Sequence, residues 1–292
     1  MDNSSDQEKI KNEQLMGSVI SDYDTLDYRF TEMYRDSIPE ATMVMIQWFE
    51  AFCKRDLKGM GELMNYPYFS VEENRMIQIE SPEDLIANPP TSLDVTKVDD
   101  DTYDMLDCLE TRIYRPAEVG FSLSFSRYQA DGIKCLQGED FYSIFKDDDG
   151  IWKLRRGSTI RKSPDQFDSV SNETIEAARR ILHLYMYTWG SGGQAMLNKI
   201  GWPRGEVNYE QFRERAGSRL GGYDDSIACR IDIPQHSDNK AHCMTTFIRR
   251  QADGRPITIN RTLYIIVKEN GHWRWSFVCA QAREHDFSND TR

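Results

Sequence analysis

Asp107 lies in an extended segment, Tyr103 to Tyr114, where side-chain alternation puts it on one face with Met105, Leu109 and Ile113. A carboxylate on an otherwise apolar wall is costly to ionise, so its pKa rises and it suits proton abstraction next to a carbonyl. Arg127 ends a second alternating stripe, Phe121, Leu123 and Phe125. A guanidinium in that place can clamp a carboxylate or stabilise a developing oxyanion. A plainer account competes with this chemistry: Asp107 and Arg127 pair with each other, or Arg127 reaches out to water.

Arg249 repeats the arrangement at the end of Cys243, Thr245 and Phe247, but the strand before it, with Ile227, Cys229, Ile231 and Ile233 on one face, carries no acid there. Any acid/base chemistry is therefore expected in the first half of the chain. Trp48, Phe125, Trp152 and Trp273 are the aromatic residues expected to line a ligand, against the alternative that they are core packing. His183 and Tyr185, two apart on one helical segment, are candidates for hydrogen bonding in a second pocket, although a lone helical His is commonly structural.

Other chemistries lack their patterns. Five histidines show neither HExxH nor finger spacing, and six scattered cysteines include no CxxC pair, so no metal and no cofactor is expected and the thiols read as free in a reducing cytoplasm. Gly190-Ser191-Gly192-Gly193-Gln194-Ala195 follows a helical and not a strand pattern, which speaks against a dinucleotide loop, and Ser191 lacks a nucleophile-elbow frame. The chain has 292 residues and a formal charge of −12, and its basic cluster (Lys153, Arg155, Arg156, Arg161, Lys162) lacks interleaved aromatics beyond Trp152. Nucleic acid and membrane partners are not expected, and neither is secretion.

These residues need elements to hold them, and an internal repeat supplies the plan. Phe125-Ser-Arg127-Tyr-Gln129-Ala130-Asp131-Gly132 matches Phe247-Ile-Arg249-Arg-Gln251-Ala252-Asp253-Gly254 at a constant offset, 247 − 125 = 122. Each copy reads strand, Asp-Gly turn, strand, turn, strand. Upstream of each is an amphipathic helix, with Met45, Trp48, Phe49 and Phe52 in one and Ala178, Ile181, Leu182 and Tyr185 in the other. Short second helices are predicted at Ser81-Pro82-Glu83-Asp84 and Asn208-Tyr-Glu-Gln211. The first copy adds a hairpin, Tyr66 to Val71 and Met76 to Ile79. Alternation puts Tyr142 and Tyr264 on the face between the copies. Residues 1–36, with nine acids and four bases, read as an acidic, partly disordered arm, and 161–172 as a polar linker.

Trp48-Phe49-Glu-Ala-Phe52-Cys-Lys-Arg55-Asp56-Leu57, with the closing strands through Gly150-Ile-Trp152-Lys-Leu154 and Gly271-His-Trp273-Arg-Trp275, resembles the NTF2-like superfamily, the ketosteroid isomerase-like and SnoaL-like cone folds. The resemblance implies an α+β protein of two tandem cone-shaped domains, at 37–160 and 173–286, each with N-terminal helices packed on a curved antiparallel sheet, the second divergent. It also implies a pocket between helices and sheet, and pairing through the outer sheet faces as an intrachain pseudo-dimer or a homo-oligomer. Two functions stay open. One is binding of a small apolar or acidic metabolite, extended to cofactor-free isomerisation, dehydration or cyclisation by Asp107 and Arg127. The other is a non-catalytic assembly module.

Overall fold

The computed structural model describes residues 37–95, 98–99, 101–167, 169–187 and 223–286. The short helix expected at 208–211, the glycine-rich segment at 190–195 and the arm at 1–36 lie outside them.

Helix α1 (Ser37–Cys53) carries Ala41, Met45, Trp48, Phe49 and Phe52 on its buried side. That spacing is one helical stripe, and it lies against a sheet. The helix gives way at Arg55, which takes a positive φ of 60°. Asp56 then caps α2 (Leu57–Glu62) by accepting the Gly59 N–H at 2.8 Å. Strands β1 (Met64–Glu72) and β2 (Arg75–Ile79) form the expected hairpin. Helix α3 (Pro82–Ala87) starts at Ser81, whose Oγ accepts the Asp84 N–H at 3.2 Å, with Pro82 in the first turn where its missing N–H costs nothing.

Four long strands follow: β3 (Thr102–Arg115), β4 (Glu118–Gln129), β5 (Lys134–Lys146) and β6 (Trp152–Lys162). The six-stranded sheet has the order β2-β1-β6-β5-β4-β3. It is mixed where the sequence reading has it antiparallel throughout, because β1 runs parallel to β6, with Ser70 opposite Gly157. After helix α4 (Asn172–Tyr187) come β7 (Tyr223–His236), β8 (Lys240–Gln251), β9 (Pro256–Glu269) and β10 (His272–Asp286), in an antiparallel sheet of order β10-β9-β8-β7. The architecture is α+β, with two sheets and helices packed on each. Strands β8 and β9 start at 240 and 256 where β4 and β5 start at 118 and 134, an offset of 122 in both cases.

Three apolar cores result. In the first, the six-stranded sheet wraps α1 and encloses Trp48, Tyr68, Phe121, Phe125, Tyr142 and Leu154. In the second, Ala178, Ile181, Leu182 and Tyr185 of α4 pack on Tyr264, Trp273 and Trp275. The third lies between the sheets and joins Val71, Ile113 and Phe141 to Leu263, Ile265 and Cys279. Phe141 and Leu263 thus face the opposite sheet. Tyr142 and Tyr264 point to the helices, the reverse of the expected assignment.

The seam between the sheets also holds polar groups. Lys240 is 1% exposed, and its Nζ donates to the carbonyls of Val71 (2.9 Å) and Thr159 (2.8 Å) in the other sheet. His242 lies flat on Phe141, ring centroids 4.6 Å apart, with Nδ1 2.8 Å from Gln235 Oε1 and Nε2 2.9 Å from Ser158 Oγ. Every one of these groups has a partner across or along the seam, which is the condition for burying it without a large penalty.

Candidate functional site

A cavity of about 520 Å³ opens beside α1, between the inner face of the six-stranded sheet and the β7–β8 turn. Its apolar wall is Phe52 and Leu136, and its cationic wall is Arg127 and Arg161. Strand pairing explains why these side chains meet. Arg127 is opposite Leu136, and Arg161 is opposite Gly138, which is opposite Phe125, so all of them stand on the face that looks at α1. Gly138 is required there: a Cβ at that position would come within 2.0 Å of the Phe125 ring.

Each arginine is held in place from behind by a buried carboxylate. Arg127 donates from Nε and Nη2 to Asp104, at 2.7 and 3.1 Å, a bidentate pair, and Arg55 pairs with the same carboxylate. Two guanidiniums on one Asp leave that corner with an excess positive charge. Arg161 pairs with Asp140, which also accepts from Tyr142 Oη at 3.1 Å. Burial pushes the Asp140 carboxyl above the usual carboxylate range against the pull of Arg161, and burial raises the Tyr142 phenol well above its ordinary value. The guanidiniums also lie by an aromatic pair. Arg161 is 5.0 Å from the Phe125 ring centre and Arg127 is 5.8 Å from that of Phe52, while the two rings meet edge to face at 5.4 Å.

Asp107 is not part of this site. The β3–β4 register slips between Leu106, opposite Phe125, and Cys108, opposite Ser124, which makes Asp107 a bulged extra residue. It is exposed on the far face of the sheet and accepts the Ser126 hydroxyl at 2.6 Å. Strict alternation through the bulge gave the wrong face. A second slip between Thr111 and Ile113 likewise puts Leu109 toward the helix and Ile113 toward the other sheet. The carboxylate that meets Arg127 is Asp104, three residues earlier. Its signal in the sequence is alternation with Leu106, read from the strand's start.

Trp48 is buried among Phe52 (5.8 Å) and Tyr142 (5.0 Å), and Phe125 is buried against Arg161, so neither lines the cavity. Trp152 and Trp273 close the two units in the same way. Trp152 Nε1 donates to Glu40 at 2.5 Å, and Lys146 pairs with that Glu and lies by the indole. Trp273 Nε1 donates to Glu173 at 3.5 Å, with Lys268 in the same position. Both indoles are tied to the first turn of a helix, and neither lines the cavity. His183 is exposed on α4. Tyr185 is buried and stacks on Trp275 at 5.8 Å, so this pair does not converge on a pocket. Arg249 lies 5.6 Å from the Phe247 ring, and the acid on its strand pair, Asp225, is taken by Arg250 at 2.9 Å.

Sequence reasoning missed Asp104, Asp140, Arg55, Arg161, which belongs to β6 and not to the expected polar linker, and Lys240. The last lines the cavity from the second sheet, and burial lowers its ammonium to about 7. Among the described residues, no group of acids, cysteines and histidines could hold a metal ion, and no helix is long and apolar enough to cross a membrane.

No family model matches the chain, and no curated protein does. Several solved structures are similar to it. A ketosteroid isomerase-like protein from Erwinia carotovora atroseptica matches at 12% identity over 45% of this chain and 100% of its own, with a TM-score of 0.34. An NTF2-like protein of unknown function from Pseudomonas putida matches at 12% over 44% and 87%, with a TM-score of 0.37. An uncharacterised protein with a cystatin-like fold from Caulobacter vibrioides matches at 12% over 44% and 91%, with a TM-score of 0.35. Each spans less than half of this chain. The likeness is one of fold, and no chemistry follows from it.

Proposed function

We propose that this protein binds a small organic anion in the cavity beside α1, with its acidic group on Arg127 and Arg161 and its apolar body on Phe52 and Leu136. The observation that carries the reading is the cationic wall. Two guanidiniums stand on a cavity of about 520 Å³, immobilised by buried Asp104 and Asp140. Immobilised donors cost little further ordering when a ligand arrives. Arg127 spends Nε and Nη2 on Asp104, leaving Nη1 for an incoming acceptor.

Binding is favoured over turnover. Asp107 is on the far face, and the Asp140 oxygens are already engaged by Tyr142 and Arg161. A role as an assembly module is less favoured, because the outer faces of both sheets are packed on each other within the chain. That packing supports an intrachain pseudo-dimer.

The test is a calorimetric and thermal-shift screen of the full chain with aliphatic and aromatic carboxylates, repeated on Arg127→Gln and Arg127→Lys. A charge-assisted hydrogen bond contributes about 1.5–3 kcal/mol, so Arg127→Gln should weaken binding roughly tenfold or more, with partial recovery in Arg127→Lys. A panel with no binder, or a binder indifferent to Arg127→Gln in a variant that melts as a folded protein, overturns the reading.

A further inference from the structure

Resting on that reading, we infer that the cavity selects a molecule carrying a carboxylate at one end and a cationic amine at the other, and that Asp238 of the second sheet supplies the contact for the amine. The argument is a census of the charged residues around the cavity. On the cationic side, Arg127 and Arg161 sit deep, with side chains 13% and 23% exposed, while Lys240 is buried and committed to two carbonyls. Arg75 is the exposed cation at the mouth among the described lining residues, and it stands across the β1–β2 hairpin from Glu72.

On the acidic side, two groups are already spent. Glu72 accepts the Thr91 N–H at 3.2 Å, the Ser92 N–H at 2.6 Å and the Ser92 hydroxyl, and Asp94 is buried and engaged. Two acids remain, Glu73 in the β1–β2 turn and Asp238 in the β7–β8 turn. Both are exposed where they line the cavity, and neither is in an ion pair among the described residues. The site is therefore polarised along its depth, with Arg127 and Arg161 inside and, at the mouth, two acids outside any ion pair among the described residues, Glu73 and Asp238, against the single exposed cation Arg75. A simple carboxylate satisfies only the inner end. An amino carboxylate of matching length satisfies both, and it would draw its second contact from the other half of the chain, which makes the two sheets a joint binding unit.

The ligand series 4-aminobutanoate, 5-aminopentanoate and 6-aminohexanoate, each compared with the unsubstituted acid of the same length, tests this by calorimetry on the full chain. At least one amino acid of the series should bind about threefold to tenfold more tightly than its partner, the range expected for one or two exposed ion pairs. That preference should shrink in high salt. Asp238→Asn, a change at an exposed position, should cut the preference to below twofold and leave the simple acid unaffected. Arg127→Gln should weaken both. Equal binding of every matched pair, or a preference that survives Asp238→Asn, overturns this inference and leaves anion binding standing. Failure of both series to bind overturns the anion reading and this inference with it.

Discussion

Replacing Lys240 by Met tests how the two sheets are held together. Lys240 is nearly fully buried, and its Nζ donates to Val71 O and Thr159 O in the opposite sheet. Burial, with Arg161 nearby, lowers its ammonium from 10.5 to about 7, while Asp140, Glu72 and Glu73 pull the other way. The folded pKa is below the unfolded one, so the stability that goes with the neutral amine is complete above pH 10.5 and is lost as the pH falls toward 7. Across that window the slope approaches 1.4 kcal/mol per pH unit, and the integral from pH 7 to 9 is about 2 kcal/mol in favour of the wild type. Lys240→Met has no such slope. At pH 7 it removes the cost of burying a charge but takes one donor from each of two carbonyls, of which Val71 O keeps the Ser158 hydroxyl at 3.3 Å, so the two effects oppose each other. Urea unfolding followed by tryptophan fluorescence at pH 6, 7, 8 and 9 gives the difference between the two proteins, in which titrations common to both cancel. A difference that stays flat within about 0.5 kcal/mol from pH 7 to 9 refutes the claim that this lysine is held near neutrality by the seam.

Three further substitutions probe the site and the seam. Asp104→Asn leaves Arg55 and Arg127 without their shared carboxylate and should cost about 3–5 kcal/mol in chemical unfolding, as for a broken buried pair, while Asp107→Asn on the exposed face should cost under about 0.5 kcal/mol. Glu118, whose carboxyl is buried and pushed up to about 7 in spite of Arg115, should behave oppositely to Lys240: its folded pKa is above its unfolded one, so wild-type stability relative to Glu118→Gln is full below pH 4.5 and falls as the pH rises to 7, measured by the same unfolding series.

The elements were legible because their periods survive folding. Met45, Trp48, Phe49 and Phe52 mark a helix face in any setting, and the Asp-Gly turns at 131–132 and 253–254 bracket strands that pair as read. The faces were less legible. A bulge adds one residue with no change in composition, and each of the long strands β3, β6 and β10 contains at least one register slip. Asp107 falls on the first slip in β3, and the slip between Trp152 and Arg156 puts Gly157, not Ser158, on the inner face opposite Tyr142. Parallel pairing of β1 with β6 was illegible for a different reason. It depends on a contact between segments far apart in sequence, and no local pattern records it. Lys240 and His242 look like surface residues of an alternating strand. They are buried because another sheet presents carbonyls, a hydroxyl and an aromatic ring to them.

That seam shows how two packed sheets can hold charged residues between them. Lys240 opens β8 and Glu118 opens β4, positions related by the same offset, 240 − 118 = 122. Both are almost completely buried, they carry opposite charges, and burial drives both toward about 7, the acid from below and the base from above. Neither shift needs a neighbour of unusual strength, since loss of hydration alone moves an acid up and an ammonium down. The two contributions then have opposite slopes, one lost between pH 4.5 and 7 and the other regained between 7 and 10.5, so together they are weakest near pH 7. Strands β1 and β6 supply both the carbonyls that hold Lys240 and, one or two residues further on, the Glu72, Glu73 and Arg161 side chains of the cavity. Lys240 itself lines the cavity, so a change in its charge is felt at the cavity wall directly.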